Sequence, residues 1–68
     1  MNAKDFSREW EKWSSDNGLR GITTIDGNVV YGDSYYVDWF MHEKVVYVHC
    51  GEKLVSVLKL KSIFKVEG

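Results

Sequence analysis

The sequence of 68 residues contains no proline, one cysteine and two histidines. The single cysteine, Cys50, excludes an internal disulfide. With only His42 and His49 beside it, the chain is too poor in ligands for a zinc site of the usual spacing. We therefore expect no metal and no other cofactor. A chain of this size buries only roughly 60% of its unfolded surface. Since small domains then rely on disulfides, metals or association, we expect a homo-oligomer.

The sequence also lacks a long apolar run and an excess of basic residues. No stretch approaches the ~18 apolar residues of a membrane-spanning helix, and the start of the chain is charged, unlike a signal peptide. Together with the lone thiol, this predicts a cytoplasmic protein without a membrane partner. The formal net charge of −1 disfavours a generic basic nucleic-acid binder. However, residues 41–68 carry five lysines against three acids, so the C-terminal strands can form a basic face.

The N-terminal segment predicts one amphipathic helix over residues 3–16. Its large apolar side chains fall on one stripe at helical spacing, namely Phe6, Trp10 and Trp13. Asn2 can cap the start of this helix. Asn17 and Gly18 supply a left-handed stop. We expect the aromatic stripe to cover the core of the β domain that follows.

The remainder of the chain predicts β structure. A turn at Asp26-Gly27-Asn28 connects a first strand to a long second strand that bends at Gly32. The expected strands are residues 19–25, 29–41, 44–50, 54–60 and 63–66. Five short strands without proline are typical of a closed barrel or a tight sandwich. We therefore expect a single mainly β domain over residues 1–68, with an N-terminal α-helix followed by a strongly bent five-stranded small barrel.

One spacing in this chain resembles a known family motif. Gly27 is followed by Gly32 five residues later and by Asp38 six residues after that, as in the first motif of the Sm/LSm family. Residues 57–66 are similar in pattern, though not in identity, to the second Sm motif. The resemblance implies an Sm-like barrel in which these three residues are structural. It covers nearly the whole chain, because helix, strand order and motif spacing all agree.

The Hfq branch of this family consists of bacterial RNA chaperones, and resemblance to it implies a binding site. Asp38 would brace a loop and Phe40 would stack on a base of single-stranded RNA. Trp39 replaces a polar residue of that branch, Met41 replaces the asparagine of other Sm proteins, and Lys61 alone keeps a cation of the family's Lys-His pair. The residues predicted to contact nucleic acid or another partner are Trp39, Phe40, Lys59, Lys61, Lys65 and Tyr36.

A second branch of Sm-like proteins fits as well. These small acidic proteins bind and inhibit the Rho transcription terminator, and residues 43–48 and 58–63 look similar to their third to fifth strands. The slightly acidic net charge favours such a role. The alternative to RNA binding is thus a protein-binding regulator or inhibitor, encoded by a phage or a host, that acts on a transcription or defence factor.

No enzymatic function is predicted, because the sequence does not combine a nucleophile, a base and a concave site. His49 and Cys50 are neighbours on a strand, so they point to opposite faces; we expect a buried, unreactive thiol. His42 is expected to be solvated near a turn. Along the bent strand, Tyr35, Val37 and Trp39 share one face, and Tyr36 and Phe40 share the other. The alternation does not say which of these faces is core.

Overall fold

The computed structural model describes residues 1–13 and 18–68. Within these residues the chain forms one N-terminal helix and six strands, which confirms a mainly β fold with a helix at its start. The elements are α1 (Ala3–Lys12), β1 (Arg20–Thr24), β2 (Val29–Gly32), β3 (Ser34–Phe40), β4 (Glu43–Cys50), β5 (Lys53–Lys59), a short 3₁₀ turn (Leu60–Ser62) and β6 (Ile63–Glu67).

Helix α1 is shorter than the sequence predicts. Asn2 caps it as expected, since its Oδ1 accepts the backbone N–H of Asp5 at 2.7 Å. The helix ends at Lys12, and Trp13 is already extended, so the predicted continuation through Trp13 is wrong. The positions 14–16 and the predicted stop at Asn17 lie outside the described residues. Gly18 does adopt a left-handed conformation, with φ of +73°.

The strands form two antiparallel three-stranded sheets with the orders β2-β1-β6 and β3-β4-β5. The expected single strand over residues 29–41 is divided at Asp33 into β2 and β3, which belong to different sheets. At Gly32 the chain passes close to β4, which requires glycine, because a Cβ atom there would lie 2.4 Å from Val48 Cγ1 and 2.8 Å from the His49 carbonyl oxygen. Among the described residues β5 pairs only with β4 and β6 only with β1, so the two sheets do not close into the predicted five-stranded barrel.

The core lies between the two sheets and α1. Phe6, Ile22, Val46 and Val48 are fully buried in it. Tyr35 meets the Phe6 ring edge-on, with ring centroids 4.8 Å apart. Each large apolar side chain buried in this way contributes about 1.5–3 kcal/mol. Of the two faces of β3 that the sequence left undecided, the one with Tyr35 and Val37 packs on the core, although its third member, Trp39, is 63% exposed. Tyr36 and Phe40 lie on the outside.

Arg20, at the start of β1, ties the end of α1 to the sheet. Its Nε donates to the carbonyl of Trp10 at 2.8 Å, and its Nη2 donates to the carbonyl of Trp13 at 2.6 Å. The guanidinium also lies over the Trp10 ring, 4.9 Å from the centroid. On the other side, Trp13 Nε1 donates to the Val66 carbonyl at 2.8 Å. These contacts fix the aromatic stripe against β6.

The described part of the chain holds no helix that is both long and apolar enough to cross a bilayer.

Candidate nucleic-acid interface

The turn between β3 and β4 presents three consecutive apolar side chains to solvent. Trp39, Phe40 and Met41 are 63%, 57% and 78% exposed. Met41 and His42 form the two-residue turn, and both have positive φ, 51° and 68°. This geometry usually requires glycine, asparagine or aspartate. A strained turn that holds large apolar side chains in water is typical of a binding surface. His42 is exposed, as predicted.

Two lysines predicted to bind a partner meet at this turn although they follow it by nearly twenty residues. Glu43, the first residue of β4, forms ion pairs with Lys59 at 3.3 Å and with Lys61 at 2.6 Å. The hydrogen bond from Lys61, followed by that from Lys59, lowers the pKa of the Glu43 carboxyl. Both lysine side chains remain more than half exposed. Glu43 therefore holds the two ammonium groups in place beside Phe40, its cross-strand partner.

Two further cations lie at the same end of the molecule. Lys44 is the cross-strand partner of Trp39, and its Nζ sits 5.4 Å from the centroid of the Trp39 ring. The N-terminal ammonium of Met1 donates to the Leu60 carbonyl at 3.0 Å. A groove of about 470 Å³ runs between these groups. We use the name hairpin-end surface for the surface formed by Met1, Trp39, Phe40, Glu43, Lys44, Lys59 and Lys61.

The sequence reasoning missed Lys44, Glu43 and the terminal ammonium as parts of this surface. A signal for Lys44 and Glu43 was present, because a two-residue turn at Met41-His42 places Glu43 opposite Phe40 and Lys44 opposite Trp39. The terminal ammonium had no such signal, since its position depends on how α1 packs on the sheets.

The other two predicted contact residues lie elsewhere. Lys65 is on the outer face of the β2-β1-β6 sheet, where it forms an ion pair with Glu67. Tyr36 is on the outer face of the β3-β4-β5 sheet and stacks on Tyr47, with ring centroids 4.7 Å apart. The structure thus brings together four of the six predicted residues and separates Lys65 and Tyr36 from them.

The three motif residues have different roles. Gly27 occupies the β1–β2 turn with φ of +90°, and its N–H donates to the Thr24 carbonyl at 3.0 Å. Gly32 permits the close approach to β4 described above. Asp38 is exposed on β3 and accepts only the N–H of the adjacent Trp39, at 2.7 Å, among the hydrogen bonds of the described residues. The aspartate that braces a loop is Asp33, whose carboxylate accepts the Gly51 N–H.

Cys50 is exposed, so the prediction of a buried thiol is wrong. It is the last residue of β4 and borders the Gly51 turn, where the sheet ends and the core no longer covers it. His49 stacks on Tyr36 with ring centroids 5.7 Å apart. Over residues 1–13 and 18–68, no three or more histidine, cysteine, aspartate or glutamate side chains cluster in a way that would hold a metal ion.

Comparisons with protein-family models, with curated proteins and with solved structures found no match for this chain.

Proposed function

We propose that the protein is a non-enzymatic binding module that takes up single-stranded RNA at the hairpin-end surface. One observation carries the proposal: two exposed aromatic side chains, Trp39 and Phe40, share one end of the molecule with Lys44, Lys59 and Lys61. Single-stranded nucleic acid is bound by this combination, because bases stack on rings while cations follow the phosphates.

The charges at this end favour a polyanion despite the net negative charge of the chain. Three lysines, Lys44, Lys59 and Lys61, share this end of the molecule with one carboxylate, that of Glu43. Each phosphate neutralised on a single strand adds about −0.7 to the slope of log affinity against log salt. Engagement of the three lysines therefore gives a slope of about −2.

The direct test is fluorescence anisotropy with a labelled single-stranded RNA oligomer at low and high salt. We expect Trp39→Ala and Phe40→Ala each to weaken binding at least about fivefold, because one stacked base is worth roughly 1–3 kcal/mol. Tyr31→Ala is the matched control, since Tyr31 is 60% exposed but lies on the other sheet. No binding at low salt and micromolar protein, or an equal loss in the control, would contradict the proposal.

A second candidate function, a protein-binding regulator, is favoured by the outer face of the β3-β4-β5 sheet. Tyr36, Tyr47 and Val57 form one row across the three strands. Tyr36 is 52% exposed and Val57 45% exposed. An apolar row of this kind on a solvent-facing sheet is typical of a protein interface. A stoichiometric protein partner captured by the wild type and lost in Tyr36→Ser would support it, whereas capture of nucleic acid alone would count against it.

We also propose that the protein forms a homo-oligomer, whichever of the two functions it has. Among the described strands, the outer edges of β5 and β6 are unpaired, and such edges can pair between copies. Light scattering at high protein concentration tests this, since a monomer would contradict it. The proposed cytoplasmic location is tested by fractionating cells that express the tagged protein.

A further inference from the structure

The outer face of β3 presents a carboxylate between two aromatic rings. Tyr36, Asp38 and Phe40 lie at alternate positions of the strand, so their side chains share one face. Tyr36 and Phe40 are 52% and 57% exposed, and Asp38 is exposed as well. Successive positions on this face are about 7 Å apart, roughly twice the ~3.4 Å that each nucleotide occupies in a stacked strand. Three successive nucleotides of an extended, unstacked strand therefore match the three side chains.

Two lysines of the hairpin-end surface flank this face on the side away from β3. Lys59 lies in the same cross-strand row as Asp38, with Val45 between them, so the row spans about 10 Å. Lys61 follows in the 3₁₀ turn, and both lysine side chains are more than half exposed. A nucleic-acid strand that runs along β3 can thus direct its bases to β3 and its phosphates to the lysines.

The Asp38 carboxylate can accept hydrogen bonds from a ligand. Within the described residues its one hydrogen bond comes from the Trp39 N–H, which donates to Oδ1 at 2.7 Å, and it forms no ion pair. The neighbouring carboxylate, that of Glu43, is instead ion-paired with both lysines. An ionised carboxylate only accepts, and its two oxygens can take two parallel donors at once. Asp38 therefore suits a ligand edge that carries two adjacent donors.

Among the four bases, guanine has such an edge. Its N1–H and its N2 amine are adjacent donors on the Watson–Crick edge, which is the edge that proteins read in single strands. Adenine and cytosine place an acceptor beside their amine, and uracil has one N–H between two carbonyls. We infer that Asp38 selects guanine at the middle of three nucleotides, while Tyr36 and Phe40 stack on the bases on either side.

This inference rests on the proposed RNA function and adds a sequence preference to it. Tyr36 also belongs to the row that favours a protein-binding regulator. Continuity favours RNA here, because Phe40 and Lys59 are part of the hairpin-end surface and share the outer face with Tyr36 and Asp38. A protein partner on this face is an outcome of the test.

The experiment compares three labelled RNA heptamers by fluorescence anisotropy with the full chain. One contains uridine alone, one has guanosine at its centre, and one has inosine there, which lacks only the N2 amine of guanosine. We expect the guanosine heptamer to bind at least about fivefold more tightly than the uridine heptamer, because a bidentate contact discriminates between bases. Inosine should lose most of that gain. The guanosine heptamer should also shift the amide resonance of Trp39, whose N–H donates to Asp38.

Three variants separate the roles of the side chains. Asp38→Ala should abolish the preference for guanosine without weakening the uridine heptamer, because it removes an acceptor and a negative charge. Glu52→Ala, which removes an exposed acid in the β4–β5 turn, is the matched control and should keep the preference. Tyr36→Ala should weaken all three heptamers alike, at least about fivefold, because stacking tolerates any base.

Equal binding of the three heptamers by the wild type, or a guanosine preference that survives Asp38→Ala, would overturn the inference and leave RNA binding at the hairpin-end surface standing. An unchanged affinity in Tyr36→Ala would also overturn it, and would leave the Tyr36 row to a protein partner. No binding of any heptamer at low salt and micromolar protein would overturn the proposed function together with this inference.

Discussion

Both carboxylate oxygens of Asp33 accept a hydrogen bond from the backbone N–H of Gly51, with N···O distances of 3.1 and 3.0 Å. The two residues are eighteen positions apart in the sequence. The backbone N–H of Asp33 itself donates to the His49 carbonyl at 2.9 Å. Asp33 is the residue between β2 and β3, and Gly51 is in the turn between β4 and β5. This one side chain therefore joins the break between the two sheets to the far end of the β4–β5 hairpin.

Removal of this link should destabilise the fold measurably. We expect Asp33→Ala to lower the free energy of unfolding by about 1 kcal/mol, the net value of a hydrogen bond of this kind. Asp38→Ala is the matched control and should change it by less than about 0.5 kcal/mol, as surface substitutions do. Urea titration followed by circular dichroism measures both. A larger loss for Asp38→Ala would show that the motif aspartate is the true brace.

We expect Gly32→Ala and Gly27→Ala to destabilise the fold for different reasons. At Gly32 the new methyl group would collide with Val48 and the His49 carbonyl, so we expect a loss of about 2–3 kcal/mol from overpacking. At Gly27 no atom lies within 4 Å of the added Cβ, but φ is +90°, so we expect only about 1 kcal/mol of backbone strain. Thermal unfolding of the two variants distinguishes these costs. Equal losses would contradict the close approach at Gly32.

We expect Arg20, at the start of β1, to stabilise the end of α1. Its guanidinium donates to the carbonyls of Trp10, Trp13 and Gly18. Loss of these bonds in Arg20→Ala should cost about 2–3 kcal/mol, as for hydrogen bonds from a charged group. Arg20→Lys keeps the charge but not the planar fork, so it should recover only part of that loss. Tryptophan fluorescence during denaturation reports on α1, and full recovery by lysine would contradict the bonding argument.

We expect the free energy of unfolding to fall in acid, because two carboxyl groups that the fold stabilises as carboxylates become protonated. The pKa of Glu43 is lowered by Lys61 and then Lys59, and that of Asp26 is lowered chiefly by the hydrogen bond from the Thr24 hydroxyl. A lowered folded-state pKa means that the unfolded chain binds more protons, so the stabilisation is present above the unfolded pKa and is lost as pH falls through the folded pKa. Urea midpoints between neutral pH and the carboxyl range should show this decline. Glu43→Gln with Asp26→Asn should flatten it, whereas a slope unchanged in that double variant would contradict the assignment.

The ion pairs of Glu43 also lead to a prediction about the affinity for single-stranded RNA. Because it neutralises part of the charge of Lys59 and Lys61, Glu43→Gln should raise the affinity for single-stranded RNA severalfold at low salt. The slope of log affinity against log salt should become steeper at the same time. Glu52→Gln is the control, since Glu52 is an exposed acid in the β4–β5 turn. A weaker affinity in Glu43→Gln would mean that the carboxylate positions the lysines and that this role outweighs its charge.

The sequence predicted the elements better than it predicted their assembly. The helical spacing of Phe6 and Trp10 identified the buried stripe of α1, and Gly27 identified the β1–β2 turn. The prediction that the helix continues through Trp13 was wrong, because this residue is held by two tertiary hydrogen bonds. Arg20 donates to its carbonyl, and its indole N–H donates to the Val66 carbonyl. The prediction for Cys50 was also wrong, because its exposure depends on where the sheet ends.

What the sequence by itself determined is the class of structure: apolar periodicity and turn residues are local, so they identify one N-terminal helix, the β segments that follow it and a bend at Gly32. What only the tertiary structure decided is which side chains meet. Trp39 and Phe40 lie beside Lys59 and Lys61 because the β3–β4 turn and the 3₁₀ turn after β5 come to the same end of the molecule. That juxtaposition depends on the register in which β3, β4 and β5 pair within one sheet, and no local pattern in the sequence records it.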